Sequence, residues 1–422
     1  MTDLPNGWQY KTLGEVAKWG SGGTPRAGTK SFYDGDIPWA IIGDLNDSYV
    51  TQTARTITQK GLDESSAKMV PVGAVLIAMY GSIGKLGMNT IPMATNQAIA
   101  FAIPKTELVL QKYLFNYLSS QREIFLWSGK GATQQNISQT LLKAWKIPLP
   151  SLPEQQKIVE ILEDHLSHLD AALADVKQAK LKAAQFRRSL LQAAFTGNLT
   201  GDGIRLMTKL PDGWEIYRLE DLCEPGKQAI VDGPFGSNLK RNDYVESGIP
   251  VLKIQNVKEN VITLKKMDYV KPEKYQELVR HSFTEGDIVM TKLGDPLGVS
   301  AIVNGIPNGL IVADLVRIRP TKVLTKFLCY QLNSPRIQKY INEQQKGTTR
   351  PRVNLSMIRE LPIYAPPIDE QHKIVELLED HLSRLDASVA IADAMEKQSS
   401  SLRRSLLQAA FTGQLTKEVA SV

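Results

Sequence analysis

Three short runs set a lysine beside glycine, where phosphate chemistry would be sought: Gly84-Lys85-Leu86, Gly129-Lys130-Gly131 and Gly226-Lys227-Gln228. A phosphate-cradling loop needs Ser or Thr after that lysine, and none of the three has it. Gly129-Lys-Gly131-Ala-Thr-Gln134 is part of a dinucleotide fingerprint, but the last glycine, the preceding strand and the following helix are missing. No Asn/Asp-Pro-Pro-aromatic run of an amino-methyltransferase occurs. Of five histidines, four (His165, His168, His372, His381) fall in strongly helical stretches, where a solvated or seam-edge position accounts for them. No Cys/His spacing suits zinc, and no acid pair or nucleophile constellation can be assembled. The chain reads as a binding protein.

Composition agrees with a folded protein of several domains. The chain has 422 residues, 42% hydrophobic and 22% charged, which excludes wholesale disorder and a fibrous repeat. That length exceeds one compact core. No apolar run reaches the ~18–20 residues of a membrane span, and the opening MTDLPNGWQY does not read as a signal peptide. Two cysteines, Cys223 and Cys329, cannot build a disulfide framework and suggest a reducing compartment. A cytoplasmic location is expected. The formal charge of +6 permits nucleic-acid binding without requiring it.

The elements that must position any site come from an internal duplication. Pro153 to Thr200 returns as Asp369 to Thr416, with roughly 29 of 48 positions identical. LPNGW at Leu4 to Trp8 returns as LPDGW at Leu210 to Trp214. Each copy carries apolar residues at steps of three and four. The first stripe is Leu162, Leu166, Leu169, Leu173 and Val176, continuing to Ala183, Leu190 and Ala194. The second is Leu378, Leu382, Leu385 and Val389, continuing to Ala392, Leu406 and Ala410. This is a coiled-coil seam, interrupted at matching places by Lys180 and Arg187 and by Glu396 and Arg403. Ser151-Leu-Pro-Glu154 reads as a capping box, Asp369 as the second cap, and Gly197 and Gly413 as left-handed stops. About 40 helical residues, ~60 Å long, with so narrow a stripe need a partner, and the natural one is the duplicate. The arginine pairs Arg187-Arg188 and Arg403-Arg404 are shared by both copies.

Between these helices lie divergent segments with short β-like runs, among them 74–79, 98–103, 288–291 and 310–313, and helical stretches near 108–127 and 324–345. The fold class is mixed α/β: two globular domains joined by two long paired α-helices, with a pseudo-two-fold repeat. The boundaries expected are domain 1 at 1–152, the central helix at 153–197, domain 2 at 198–365, the distal helix at 366–413 and a tail at 414–422. Trp8 and Trp214, being shared, are expected to be structural anchors.

These residues resemble a known family. Pro148-Leu-Pro-Ser-Leu-Pro-Glu-Gln155 running into Lys157-Ile-Val, Pro366-Pro-Ile-Asp-Glu-Gln371 running into Lys373-Ile-Val, and the closures Ala193-Ala-Phe-Thr-Gly197 and Ala409-Ala-Phe-Thr-Gly413 are similar to those of type I restriction-modification specificity subunits. Gly22-Gly-Thr-Pro25 and Asp232-Gly-Pro-Phe-Gly-Ser-Asn238 resemble openings of that family's target-recognition domains. The resemblance implies that each domain reads half of a split site in double-stranded DNA and that the helices pair antiparallel as a ruler. It further implies that two modification (N6-adenine methyltransferase) subunits dock on the chain and that restriction subunits join them. S-adenosylmethionine, ATP and magnesium would bind those partners, with no cofactor, no catalysis and no membrane contact for this chain. A free-standing nuclease or methyltransferase, and a scaffold without a DNA role, are the alternative readings.

On that reading the base-contacting candidates lie in the divergent domains. The loop holding Lys346, Arg350 and Arg352 aligns with Lys130, Gln134, Gln135 and Asn136. Glycines there allow close backbone approach, and Arg or Gln can grip guanine or adenine bidentately. Gly22, Gly23, Thr24 and Arg26, with Ser237, Asn238, Lys240 and Arg241, form the second set.

Overall fold

The computed structural model describes residues 4–128, 136–196, 199, 210–236, 238–345, 347 and 351–419. It divides into two compact units. The first comprises Met1–Lys177 with Asp393–Val422, the second Gln178–Ala392.

In the first unit the strands Ala17–Ser21, Ile99–Pro104, Val75–Ala78, Leu86–Asn89 and Ser48–Val50 lie side by side in that order. A second sheet runs Thr56–Ile57, Tyr33–Ala40, Met93–Thr95, Met69–Val70. Val75–Ala78 is buried at every position, so neither face of this strand meets solvent. The pleat instead divides its residues between two cores. Val75 and Ile77 face a core with Tyr113 and Leu114 of helix Gln111–Ser120. Leu76 and Ala78 face a core with Ala40 and Met93 of the second sheet.

The second unit repeats the plan. Ile230–Asp232, Leu315–Ile318, Ile288–Thr291 and Ser300–Ile302 form one sheet. Asp268–Val270, Ile249–Leu252, Asn308–Ile311 and Ser282–Thr284 adjoin in the other, with Tyr244–Val245 added outside. Each second sheet contains one parallel pair, Tyr33–Ala40 with Met93–Thr95 and Ile249–Leu252 with Asn308–Ile311. Gly35-Asp-Ile-Pro-Trp39 and Ser247-Gly-Ile-Pro-Val251, which share Ile-Pro, fall on the same strand of the two units. Both helical stretches are broken in two, into Gln111–Ser120 with Arg122–Ser128 and Thr325–Leu332 with Pro335–Gln344. Pro335 cannot continue a helix but can begin one.

The long helices are Leu152–Ala194 and Ile368–Phe411. Leu162, Leu378 and Leu382 are buried. Leu166, Leu169, Leu173, Val176, Leu385 and Val389 are half-buried, with exposed residues on either side. A two-helix seam covers one stripe only, and burial becomes complete where a domain adds a third surface. In the first unit Leu162 shares a core with Leu407, Ala410 and Phe411. In the second, Leu378 shares one with Leu191, Ala194 and Phe195. Within each unit the pairing is antiparallel: Asp170 meets Arg403 while the earlier Glu154 meets the later Thr416, at 3.4 Å.

Two local expectations change. The distal helix begins at Ile368, so Asp369 is not its cap but an acid of the first turn, where the helix dipole favours a negative charge. The region after Gly413 is a short helix, Gln414–Val419, with Leu415 buried in the first unit's core. Gly413 itself has φ +73°, the left-handed stop read from the sequence; Gly197 lies outside the described residues.

Candidate nucleic-acid interface

Four chain segments of the first unit lie side by side across one end of the first sheet, an edge of strand ends joined through their backbones. Gly22 N–H donates to the Ile99 carbonyl at 3.0 Å and Gly23 N–H to that of Thr95 at 2.9 Å. Met79 N–H donates to Ala98 at 2.8 Å, and Ile137 N–H to Met79 at 2.9 Å, beside a bridge between Tyr80 and Asn136. The second unit repeats the lacing. Gly233 N–H donates to Leu315 at 3.2 Å, Lys292 to Asp314 at 2.9 Å and Val353 to Lys292 at 3.0 Å, beside a bridge between Leu293 and Arg352.

The glycines are needed for this lacing. A Cβ on Gly22 would stand 2.1 Å from the Thr95 carbonyl oxygen, and one on Gly23 would stand 2.2 Å from the Ser66 backbone. On Gly233 it would stand 2.1 Å from the Val312 backbone. No side chain fits at such distances. The close approach is therefore to the domain's own backbone. What the edge presents outward differs between units. In the first, Thr24, Arg26, Gln97 and Asn136 are exposed, and the Thr24 hydroxyl donates to the Gln97 side-chain oxygen. In the second, Arg352 is exposed, and Lys292 Nζ lies 2.6 Å from the Asp232 carboxylate. His281 Nδ1 is 2.6 Å from the Asp232 carbonyl, which makes that nitrogen the donor.

The repeated helix motifs hold each domain to its helix pair. Gln155 is buried, accepts from Leu110 N–H at 3.0 Å and donates to the carbonyls of Leu108 and Pro150. Gln371 likewise accepts from Leu324 N–H at 2.9 Å and donates to Pro366. Phe411 packs edge-on against Tyr113 and Tyr117, and its counterpart Phe195 against Phe327. Arg187 pairs with Asp386 and Arg403 with Asp170, one contact made twice at equivalent positions of the repeat. Arg404 pairs with Glu123 of the first domain at 2.9 Å. Arg187 and Arg188 also line a groove of about 900 Å³ against the second domain. There Glu259 has its carboxyl pushed up by burial, opposed by those two arginines. Among the described residues no cluster of three His, Cys, Asp or Glu could hold a metal, and no helix is long and apolar enough to cross a membrane.

Residues 5–182 and 211–393 match the family described as type I restriction modification DNA specificity domain, once in each half. The chain belongs to that family. It is 27% identical over 393 residues to the type I restriction enzyme MjaIX specificity subunit of Methanocaldococcus jannaschii, covering 89% of this chain and 87% of that one. It is 25% identical to the EcoBI specificity subunit of Escherichia coli, covering 82% and 74%. A structure described as showing complex assembly and conformational transition of the type I R-M system has a TM-score of 0.73 at 18% identity, covering 98% of this chain and all of that one. The HsdS subunit of Thermoanaerobacter tengcongensis has a TM-score of 0.57 at 17% identity, covering 98% of each chain. These two likenesses concern the fold. Membership makes this chain a DNA-recognition subunit of a type I system, not a catalytic one.

Within this specificity fold the residues read from the sequence distribute unevenly. The edge brings Thr24 and Arg26 together with Asn136, and the root of the Asp232–Asn238 loop together with Arg352. Gly22 and Gly23 are buried and hold the loop in place. Asn238 is exposed after the loop's turn, and Lys240 and Arg241 follow as exposed residues leading to Tyr244–Val245. Lys130, Gln134, Gln135, Ser237, Lys346 and Arg350 lie outside the described residues. Sequence reading passed over Gln97, Tyr80 and Lys292. Each stands in a short polar run abutting an apolar strand, a signal that marks a strand end without saying which ends converge.

Proposed function

We propose that each unit reads one half of a bipartite DNA site through this edge. The reading has the helix pair set the unread spacer and dock two modification subunits that carry S-adenosylmethionine and methylate adenine N6. Restriction subunits, with ATP and magnesium, join the same assembly, and this chain holds none of those cofactors. The observation that carries it is one edge built twice on one scaffold with different outward residues. Phosphate contacts fix register, and base edges are read by side chains in the grooves. Gln and Asn match adenine, and Arg matches guanine. An edge with Arg26, Gln97 and Asn136 and an edge with Arg352 would therefore offer bases different sets of contacts. Two long helices with a repeated apolar seam suit a spacer of fixed length.

The test is a genome-wide map of N6-methyladenine after co-expressing the chain with its modification subunit in an unmethylated host. A new motif of two short half-sites around a fixed spacer is expected. No new methylation from a demonstrably assembled complex would overturn the reading and favour a scaffold without DNA specificity.

A further inference from the structure

Among the described residues the two most exposed large apolar side chains are both aromatic: Trp127 at 90% and Phe235 at 78%. Phe235 stands on the interface edge itself, between Pro234 and Gly236 in the Asp232–Asn238 loop. The loop is held at its root. Gly233 is locked against the Val312 backbone, and the Asp232 carboxylate is bonded to Lys292. Beyond the ring, Asn238 N–H donates to the Phe235 carbonyl at 2.8 Å and closes a turn. The ring thus stands two residues beyond the locked Gly233. An apolar ring in water forgoes the gain of burial. Pro234 beside it is buried, so the turn selects which residue faces out. The exposed Arg352 stands on the same edge, where a phosphate backbone would be drawn.

We propose that Phe235 is a stacking wedge, its ring entering between adjacent base pairs of the half-site read by the second unit. This rests on the DNA-reading function proposed above. Apolar side chains inserted at a base step partly unstack it and bend the duplex. The unstacking cost depends on the step, so Phe235 would add selectivity for a flexible pyrimidine–purine step that no hydrogen bond reads.

The experiment uses the full chain with its modification subunit and duplexes carrying the methylated motif, with 2-aminopurine placed at successive positions of both half-sites. Apart from the target adenine that each modification subunit flips out of the stack, fluorescence with the native chain should rise at one further step, in the half-site read by the second unit only. Phe235→Ala should abolish that further rise and weaken cognate binding roughly tenfold, as loss of one stacked base does. Salt-dependent binding to unrelated DNA should be unchanged, and Phe235→Trp should keep both the rise and the affinity. If Phe235→Ala matches the native complex, or if weaker binding comes with no rise beyond the target adenines in the native complex, the wedge is overturned while half-site reading stands. If the native complex methylates no split site, both fall together.

Discussion

The two domains share their strand order, apart from Ser48–Val50 in the first and Tyr244–Val245 in the second, and differ in what their strand ends display. Trp8 and Trp214 are both buried in the cores beneath the sheets. Gln155 and Gln371 make the same clamp, and Phe411 and Phe195 fill the same place. Outward, however, the first domain offers Thr24, Arg26, Gln97 and Asn136, and the second Phe235 and Arg352. Residues whose neighbours are protein are kept through the duplication. The exposed residues at the strand ends have diverged. The second long helix closes the first domain's core and the first helix closes the second's, so each helix end serves the domain it does not directly follow.

The shared packing can be tested to breaking point at Phe195 and Phe411. Truncating either to Ala should cost ~3–5 kcal/mol, read as a lowered denaturation midpoint. Limited proteolysis should show loosening of the second unit for Phe195→Ala and of the first for Phe411→Ala. Loosening in the opposite unit would break the assignment of helix ends to domains. Gln155→Ala and Gln371→Ala should each cost ~1–3 kcal/mol, because a buried N–H, of Leu110 or Leu324, loses its acceptor. Unequal costs would show that the clamp is not the same device twice.

A smaller effect separates the units. Trp214 Nε1 donates to Glu370 at 3.2 Å, whereas the buried Trp8 Nε1 has no partner among the described residues. Glu370→Gln should weaken the second unit by ~0.5–1.5 kcal/mol. The equivalent Glu154→Gln should leave the environment of Trp8 unchanged, as its indole fluorescence would report. The smallest effect is expected at the half-exposed arginines of the seam. Arg187→Ala or Arg403→Ala should cost at most ~1 kcal/mol, less at high salt. Exchanging the charges of Arg187 and Asp386 together should restore that loss, and failure to do so would remove the direct pair.

The long helices were legible because their information is local. Leu166, Leu169, Leu173 and Val176 announce a seam by spacing alone, and those residues are the half-buried stripe of the folded helix. The strand Ile288–Thr291 was legible for the same reason, as an apolar run bounded by turn residues. Phe195, Gln155 and Gln371 stood in motifs the sequence displayed, yet their tasks were not readable, since each acts on a distant segment: Phe327, Leu110 and Leu324.

Gly22 and Gly23 show the limit most clearly. A glycine says that something comes close without saying what. The fold supplies the backbones of Thr95 and Ser66. The sequence by itself determined the duplication, the helices with their seam, and the chain's kinship with DNA-specificity subunits. These depend on residue spacing and identity along one stretch of chain. Only the tertiary structure decided which loops share an edge and which exposed residues stand on it. Segments as distant as Gly22, Thr95 and Asn136 become neighbours through long-range strand pairing, and no local pattern encodes that register.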